Sequence, residues 1–307
     1  MPTIFTSLIP FFLSIFAHSS YVLASEDVAD ILPLMYTPNK PVAIVAGTLF
    51  MLAACGMLVW SAMHRGYYML PFVFGAVLYG LGLFLRIPYS DNLHNISLYS
   101  AMDYLNLISV PFFVFGVYTL LTRIAAHLDA VELLIVKPYL LANGFMAYQF
   151  VAFVITAIGG GMKTSTTRHT VEVATKLIIA GTLLQFVGLA VYLGLVINFV
   201  YRMWSTRKEQ WNHRPNGFLR SWLGVAAMTG VCCQNLMIPL IYRITAIGLG
   251  RNGVLSRKEY YFYTSEVMTL WGGVLTIFLM VWPPRVLNGP RGGKQMNELS
   301  SVSLGSK

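Results

Sequence analysis

Apolar residues in this chain come in long blocks separated by short polar segments. The blocks fall at about 41–62, 67–88, 98–122, 133–158, 173–202, 219–246 and 260–284. Each is near the ~20 residues that a helix needs to cross ~30 Å of hydrocarbon at ~1.5 Å per residue. Lipid offers backbone N–H and C=O groups no partners, so an open chain crosses it only as helix. The pattern predicts an all-α membrane protein, a bundle of seven transmembrane helices within residues 25–284. Residues 1–24, MPTIFTSLIPFFLSIFAHSSYVLA, have a short apolar core and end in Val22-Leu23-Ala24. They read as a signal peptide or, since no Lys or Arg precedes the core, as an uncleaved leader. The Gly- and Ser-containing stretch 285–307 has little to bury and reads as a disordered tail.

Composition agrees with a membrane solvent. Of 307 residues, 56% are hydrophobic and 11% charged, against roughly 25% charged in soluble domains. The few charges set an orientation. With the N-terminus outside, the inner segments and tail hold twelve of the 21 Lys and Arg, the outer segments seven, and Arg86 and Arg243 fall inside spans. The bias puts the C-terminus in the cytoplasm. Glu26, Asp27 and Asp30 then lie outside, as does the Asn95-Ile96-Ser97 sequon, which makes Asn95 a weak candidate for glycosylation. The net charge of +9 suits anionic lipid headgroups at the inner face. No nucleic-acid signal accompanies it.

Several chemistries are absent from the sequence. The nearest approach to a phosphate-cradling loop, NGPRGGKQ at 288–295, lacks the first Gly and the Ser/Thr. A retinal Schiff base needs a Lys in the last span, and 260–284 has none. The His residues sit in the leader or in and beside loops, so neither haem nor catalytic zinc is expected at membrane depth. No nucleophile elbow is present. Cys55, Cys232 and Cys233 lie within spans, where packing is their expected role. The expectation is a protein without cofactor or metal and not an enzyme.

What remains is the polar content of the spans, where ionisable groups are costly and mark function or pairing. Arg86, Asp103, Arg243 and Glu266 lie near the outer ends of spans two, three, six and seven. Glu259 precedes Glu266 by nearly two turns, with Phe262 and Tyr263 between them. Two readings stand: these charges pair and pin helices, or at least two line an outward-opening site. In the second, an acid meets a cationic amine headgroup. Gln149 and Gln185 are secondary polar lining or interhelical hydrogen-bonding groups. Gly250 and Gly253 supply a loop that benefits from freedom to take positive φ.

The stretch Arg243, Gly250, Gly253, Glu259, Glu266 resembles the last loop of the fungal lipid-translocating exporters, the RTA-like seven-helix proteins. Further pieces fit: Tyr36-Thr37-Pro38, Gly82 to Arg86, Pro111 with Tyr118 and Arg123, Gly159-Gly160-Gly161-Met162, Gly181 with Gln185, and Pro283. The chain departs from the family pattern at Ala246, where an acid is expected. It departs also at Gln149 and Thr156, which stand for Asp and then Gln, and at Glu266, which stands for Asp. The resemblance implies a plasma-membrane protein whose partners are membrane lipids and an amphiphilic small-molecule substrate. Sphingoid-base efflux, lipid asymmetry and resistance to toxic lipophiles are the family's associations, with porphyrin or haem traffic in some members. A seven-helix receptor or sensor that alters lipid handling without transport is the alternative, and a lipid-modifying enzyme ranks third.

Overall fold

A computed structural model describes residues 34–281 except 35, 65, 129, 164, 166, 207–221 and 250–252. The expected signal peptide over 1–24, the tail over 285–307 and Gly250 lie outside the described residues. The helices are α1 (Lys40–His64), α2 (Leu70–Phe84), α3 (Arg86–Asp91), α4 (Ile96–Tyr118), α5 (Leu120–His127), α6 (Phe145–Met162), α7 (Arg168–Thr206) and α8 (Trp222–Gly248), followed by α9 (Val254–Arg257), α10 (Glu259–Phe262) and α11 (Met268–Val281). Wide π turns at Leu140–Gly144 and Tyr263–Val267 lead into α6 and α11. Among the described residues, six helical stretches are long and apolar enough to cross a membrane: Lys40–His64, Tyr67–Asp91, Ile96–Ala126, Leu140–Met162, His169–Thr206 and Leu223–Gly248.

Consecutive long helices pack side by side: α1 on α2, α2 on α4, α4 on α6, α6 on α7, α7 on α8, α8 on α11, and α11 returns to α1. The closed order puts α4 inside. It also touches α8, and 72% of its apolar window is buried, against 22% for the stretch containing α6. The other helices expose many large apolar residues, such as Leu52, Phe74, Phe150 and Val191, as lipid-facing surfaces do.

Small residues permit the close approaches that drive helix association in lipid. A Cβ on Gly82 of α2 would stand 2.1 Å from Asn106 Oδ1 of α4, and one on Gly159 of α6 would stand 2.9 Å from the Ala174 carbonyl of α7. Breaks have local causes. Pro88 has no N–H for the carbonyl of Phe84, so the chain turns at Leu85 between α2 and α3. At Thr119, between α4 and α5, the Tyr192 hydroxyl takes the place of a ladder bond: it donates to the Val117 carbonyl at 2.7 Å and accepts from the Leu121 amide at 3.1 Å. Insertion of a side chain into the i→i−4 ladder is a recognised origin of helix bends.

Two expectations are corrected. Gly253 has φ −61° and ψ 147°, an ordinary extended conformation, because it is the residue from which the chain enters α9. Positive φ is not its task. Cys55 is exposed on α1, against the bundle's surroundings, while Cys232 and Cys233 are buried. Only the latter two pack in the core.

Candidate functional site

The charged residues gather at one end of the bundle, where α1 and α4 begin and α3 and α8 finish. Arg243, in the last turns of α8, is 8% exposed, and Glu266, in the π turn before α11, is 3% exposed. They form a salt bridge through Arg243 Nη2 and Glu266 Oε1. Arg243 Nη2 also donates to the backbone carbonyl of Asn106 at 2.8 Å, which accepts Ser109 Oγ at 2.8 Å as well. The Tyr79 hydroxyl donates to Glu266 Oε1 at 3.4 Å. One ion pair thus ties together α2, α4, α8 and the last helical run.

Arg86, the first residue of α3, occupies a second nest. Its guanidinium lies 3.6 Å from the Phe262 ring centroid and 5.7 Å from that of Tyr263, in the arrangement a cation favours over an aromatic face. Among the described residues the nearest carboxylate is that of Glu259, 3.7 Å from Arg86 Nη1. That is ion-pair range and beyond a good hydrogen bond. Glu259 is engaged elsewhere: its two oxygens accept the backbone amide of Asn39 at 3.0 and 3.1 Å. Arg86 is 4% exposed and Glu259 17%, so the nest opens at the Glu259 side. The Tyr36 phenol also lies against Arg86. Burial pushes its pKa above the ordinary value, and the neighbouring cation only partly offsets this.

The hydrogen-bonding capacity of these two nests is unevenly used. Arg86 Nε and Nη1, Arg243 Nε and the Tyr263 hydroxyl are buried without a hydrogen-bond partner, as is one acceptor, Asn106 Oδ1. Buried polar groups are rarely left so.

The structure brings Arg86, Glu259, Arg243 and Glu266 together and draws Asp103 aside. Asp103 Oδ2 bonds Lys163 Nζ at 2.6 Å, with each side chain more than a quarter exposed. Burial would lower the pKa of Lys163, but the charge of Asp103 and the bond to it outweigh that effect and raise it. Lys40 and Asp91 form a further pair at the same rim. Gln185 Nε2 donates to Thr156 Oγ1 at 3.0 Å, joining α7 to α6, while the fully buried amide of Gln149 has neither atom partnered. Asn95 caps α4, its side-chain oxygen accepting the Leu98 amide at 3.1 Å.

Several participants leave little trace in the sequence. Tyr79 was legible, since it stands seven residues before Arg86, two turns along one face. Lys163 carried only its sign as a signal. Asn39 and Asn106 act through backbone atoms, which no residue-type argument finds.

An all-helical, apolar-surfaced bundle with buried charge pairs at one end defines an integral multi-pass membrane protein. The chain matches the family model for "RTA1 like protein" over residues 72–289 and belongs to that family. No curated protein and no solved structure matches it.

Proposed function

We propose that the protein moves amphiphilic lipids, or controls their movement, across the plasma membrane. Sphingoid long-chain bases and toxic lipophiles are the compounds that the family resemblance brings forward. The observation that carries this reading is the gathering of Arg86, Glu259, Arg243 and Glu266 in two nests at one end of a largely apolar bundle, the first of which opens at Glu259. Such a place holds a polar headgroup while the tail stays in lipid, and charge at membrane depth is costly enough to mark a function of that kind. The reading includes a seventh crossing. The helical run from Glu259 to Val281 is long enough at ~1.5 Å per residue to cross ~30 Å. It also includes an outside N-terminus, a cytoplasmic C-terminus, and no catalytic step.

The receptor or sensor reading draws on a different observation: Arg243 and Glu266 satisfy each other's charge and so serve as a helix clamp. Reconstitution into liposomes separates the two. A transporter speeds the passage of labelled amphiphiles, a sphingoid base among them, from one leaflet to the other. A receptor leaves their passage at the rate of protein-free vesicles, and that result would overturn the proposal.

A further inference from the structure

The unused hydrogen-bonding groups say what kind of headgroup the nest takes. An ammonium needs a carboxylate whose charge is not already matched. Glu266 is paired with Arg243 through Oε1, which also accepts from Tyr79, and Glu259 lies in ion-pair range of Arg86 and accepts the Asn39 amide, so neither carboxylate stands as an unpaired anion. The surplus lies with the donors. Among the described residues, Arg86 Nε and Nη1, Arg243 Nε and the Tyr263 hydroxyl are buried without a well-aligned hydrogen-bond partner, with the phenols of Tyr36 and Tyr263 beside Arg86. Leaving such donors unpaired leaves their desolvation cost uncompensated, most heavily where the group is charged. A guanidinium does not escape by losing its proton. Stacking on Phe262 and Tyr263 covers the faces of Arg86 but satisfies no N–H.

We propose that the nest around Arg86 recognises the headgroup of its amphiphile as an oxyanion, phosphate or carboxylate, and not as an ammonium. This rests on the reading of the protein as one that handles amphiphilic lipids, it reverses the headgroup charge expected from the sequence, and it places the sphingoid bases, which are amines, outside the compounds that this nest holds. Arg86 is the principal ligand, reached past the partly exposed Glu259, with Tyr263 as a neutral donor beside it. An oxyanion completes the set because it brings acceptors only, and charge-assisted bonds to guanidinium are the strong kind.

The test uses the full chain in phosphatidylcholine nanodiscs and four probes with one tail: hexadecyl phosphate, hexadecanoate, hexadecylamine and hexadecanol. The oxyanion probes are expected to bind about tenfold or more tighter than the amine, a difference of ~1.4 kcal/mol. Arg86→Gln should abolish that preference. Arg86→Lys, which keeps the charge and loses the planar donors, should weaken it. Tyr263→Phe removes a donor without touching charge; it carries the test if the Arg86 variants do not fold, and should reduce oxyanion binding alone. Tightest binding by hexadecylamine, equal binding by all four, or binding of inorganic phosphate as tight as that of hexadecyl phosphate would overturn the proposal. If hexadecylamine alone binds and is moved in liposomes, the headgroup assignment falls and the transport reading stands. If no probe binds and none is moved, both fall.

Discussion

Replacing Glu266 by Gln isolates the charge of the central pair. The substitution keeps the side-chain length and leaves an amide oxygen where Oε1 accepts from Arg243 and Tyr79. What disappears is the negative charge opposite a guanidinium that is 8% exposed. Breaking a buried pair by removing one partner costs about 3–5 kcal/mol. The retained shape, and the bond from Arg243 to the Asn106 carbonyl at 2.8 Å, place the expected loss at the lower end, about 3 kcal/mol. At ~1.36 kcal/mol per tenfold, this is a shift of more than a hundredfold in the folding equilibrium. Thermal unfolding of the purified protein in nanodiscs reads it as a fall of about 5 °C, from ~2.1 cal/mol/K of unfolding entropy per residue over 307 residues. Membrane fractions should contain correspondingly less of the variant. The double variant Arg243→Gln/Glu266→Gln removes both charges and should be more stable than either single variant, since no uncompensated charge remains. A Glu266→Gln protein with parental melting temperature and abundance would refute the pairing argument and return Glu266 to the role of a free acid.

The partly exposed Asp103–Lys163 pair makes a contrast: Asp103→Asn should cost no more than ~1 kcal/mol, visible as a melting temperature much closer to the parent than that of Glu266→Gln. The raised pKa of Lys163 means that this pair's contribution is fully present below the ordinary lysine value of ~10.4 and is lost as pH rises through the raised one. The difference in melting temperature between Lys163→Met and parent should therefore narrow only in strongly alkaline buffer. Gly82→Ala forces a Cβ to within 2.1 Å of Asn106 Oδ1 and should destabilise by ~1–3 kcal/mol, measured by the same unfolding assay. Tyr192→Phe deletes the hydroxyl between Val117 and Leu121 and should cost ~1–3 kcal/mol. Faster hydrogen exchange at the Leu121 amide is the specific readout, and unchanged exchange would show that the ladder closes without the hydroxyl.

Much of the bundle was legible because lipid imposes one rule on every residue of a span. The block at 41–62 became Lys40–His64 and that at 219–246 became Trp222–Gly248. The block at 133–158 was started too early. Leu133 to Val136 are apolar but precede Lys137-Pro138, where Pro disfavours helix in the residue before it, and the helix begins at Pro138 itself, a position Pro favours. The span at 173–202 continues as helix from Arg168 to Thr206, past the apolar block, because backbone bonding does not stop where hydropathy does. At the site, Arg86, Arg243, Glu259 and Glu266 stood out as rare charges in apolar surroundings. Who pairs with whom did not, for Asp103 has the right sign and depth to meet an Arg and meets Lys163 instead. That choice is made by packing between helices, which residue spacing does not record.

The bond between the Asn39 amide and Glu259 joins residues 220 positions apart, and it bears on how the protein is made. Membrane proteins enter the bilayer from the ribosome in chain order, so Arg86 arrives long before Phe262, Tyr263 and Glu259 exist. Until then its cation has neither its aromatic cover nor its carboxylate, and an Arg in hydrocarbon is held by water defects or by reaching for the interface. Arg243 waits for a much shorter time, since Glu266 follows 23 residues later. A chain that ended before Glu259 would lack the carboxylates that stand opposite Arg86 and Arg243, and in the finished fold the last helical run is what covers both guanidinium groups.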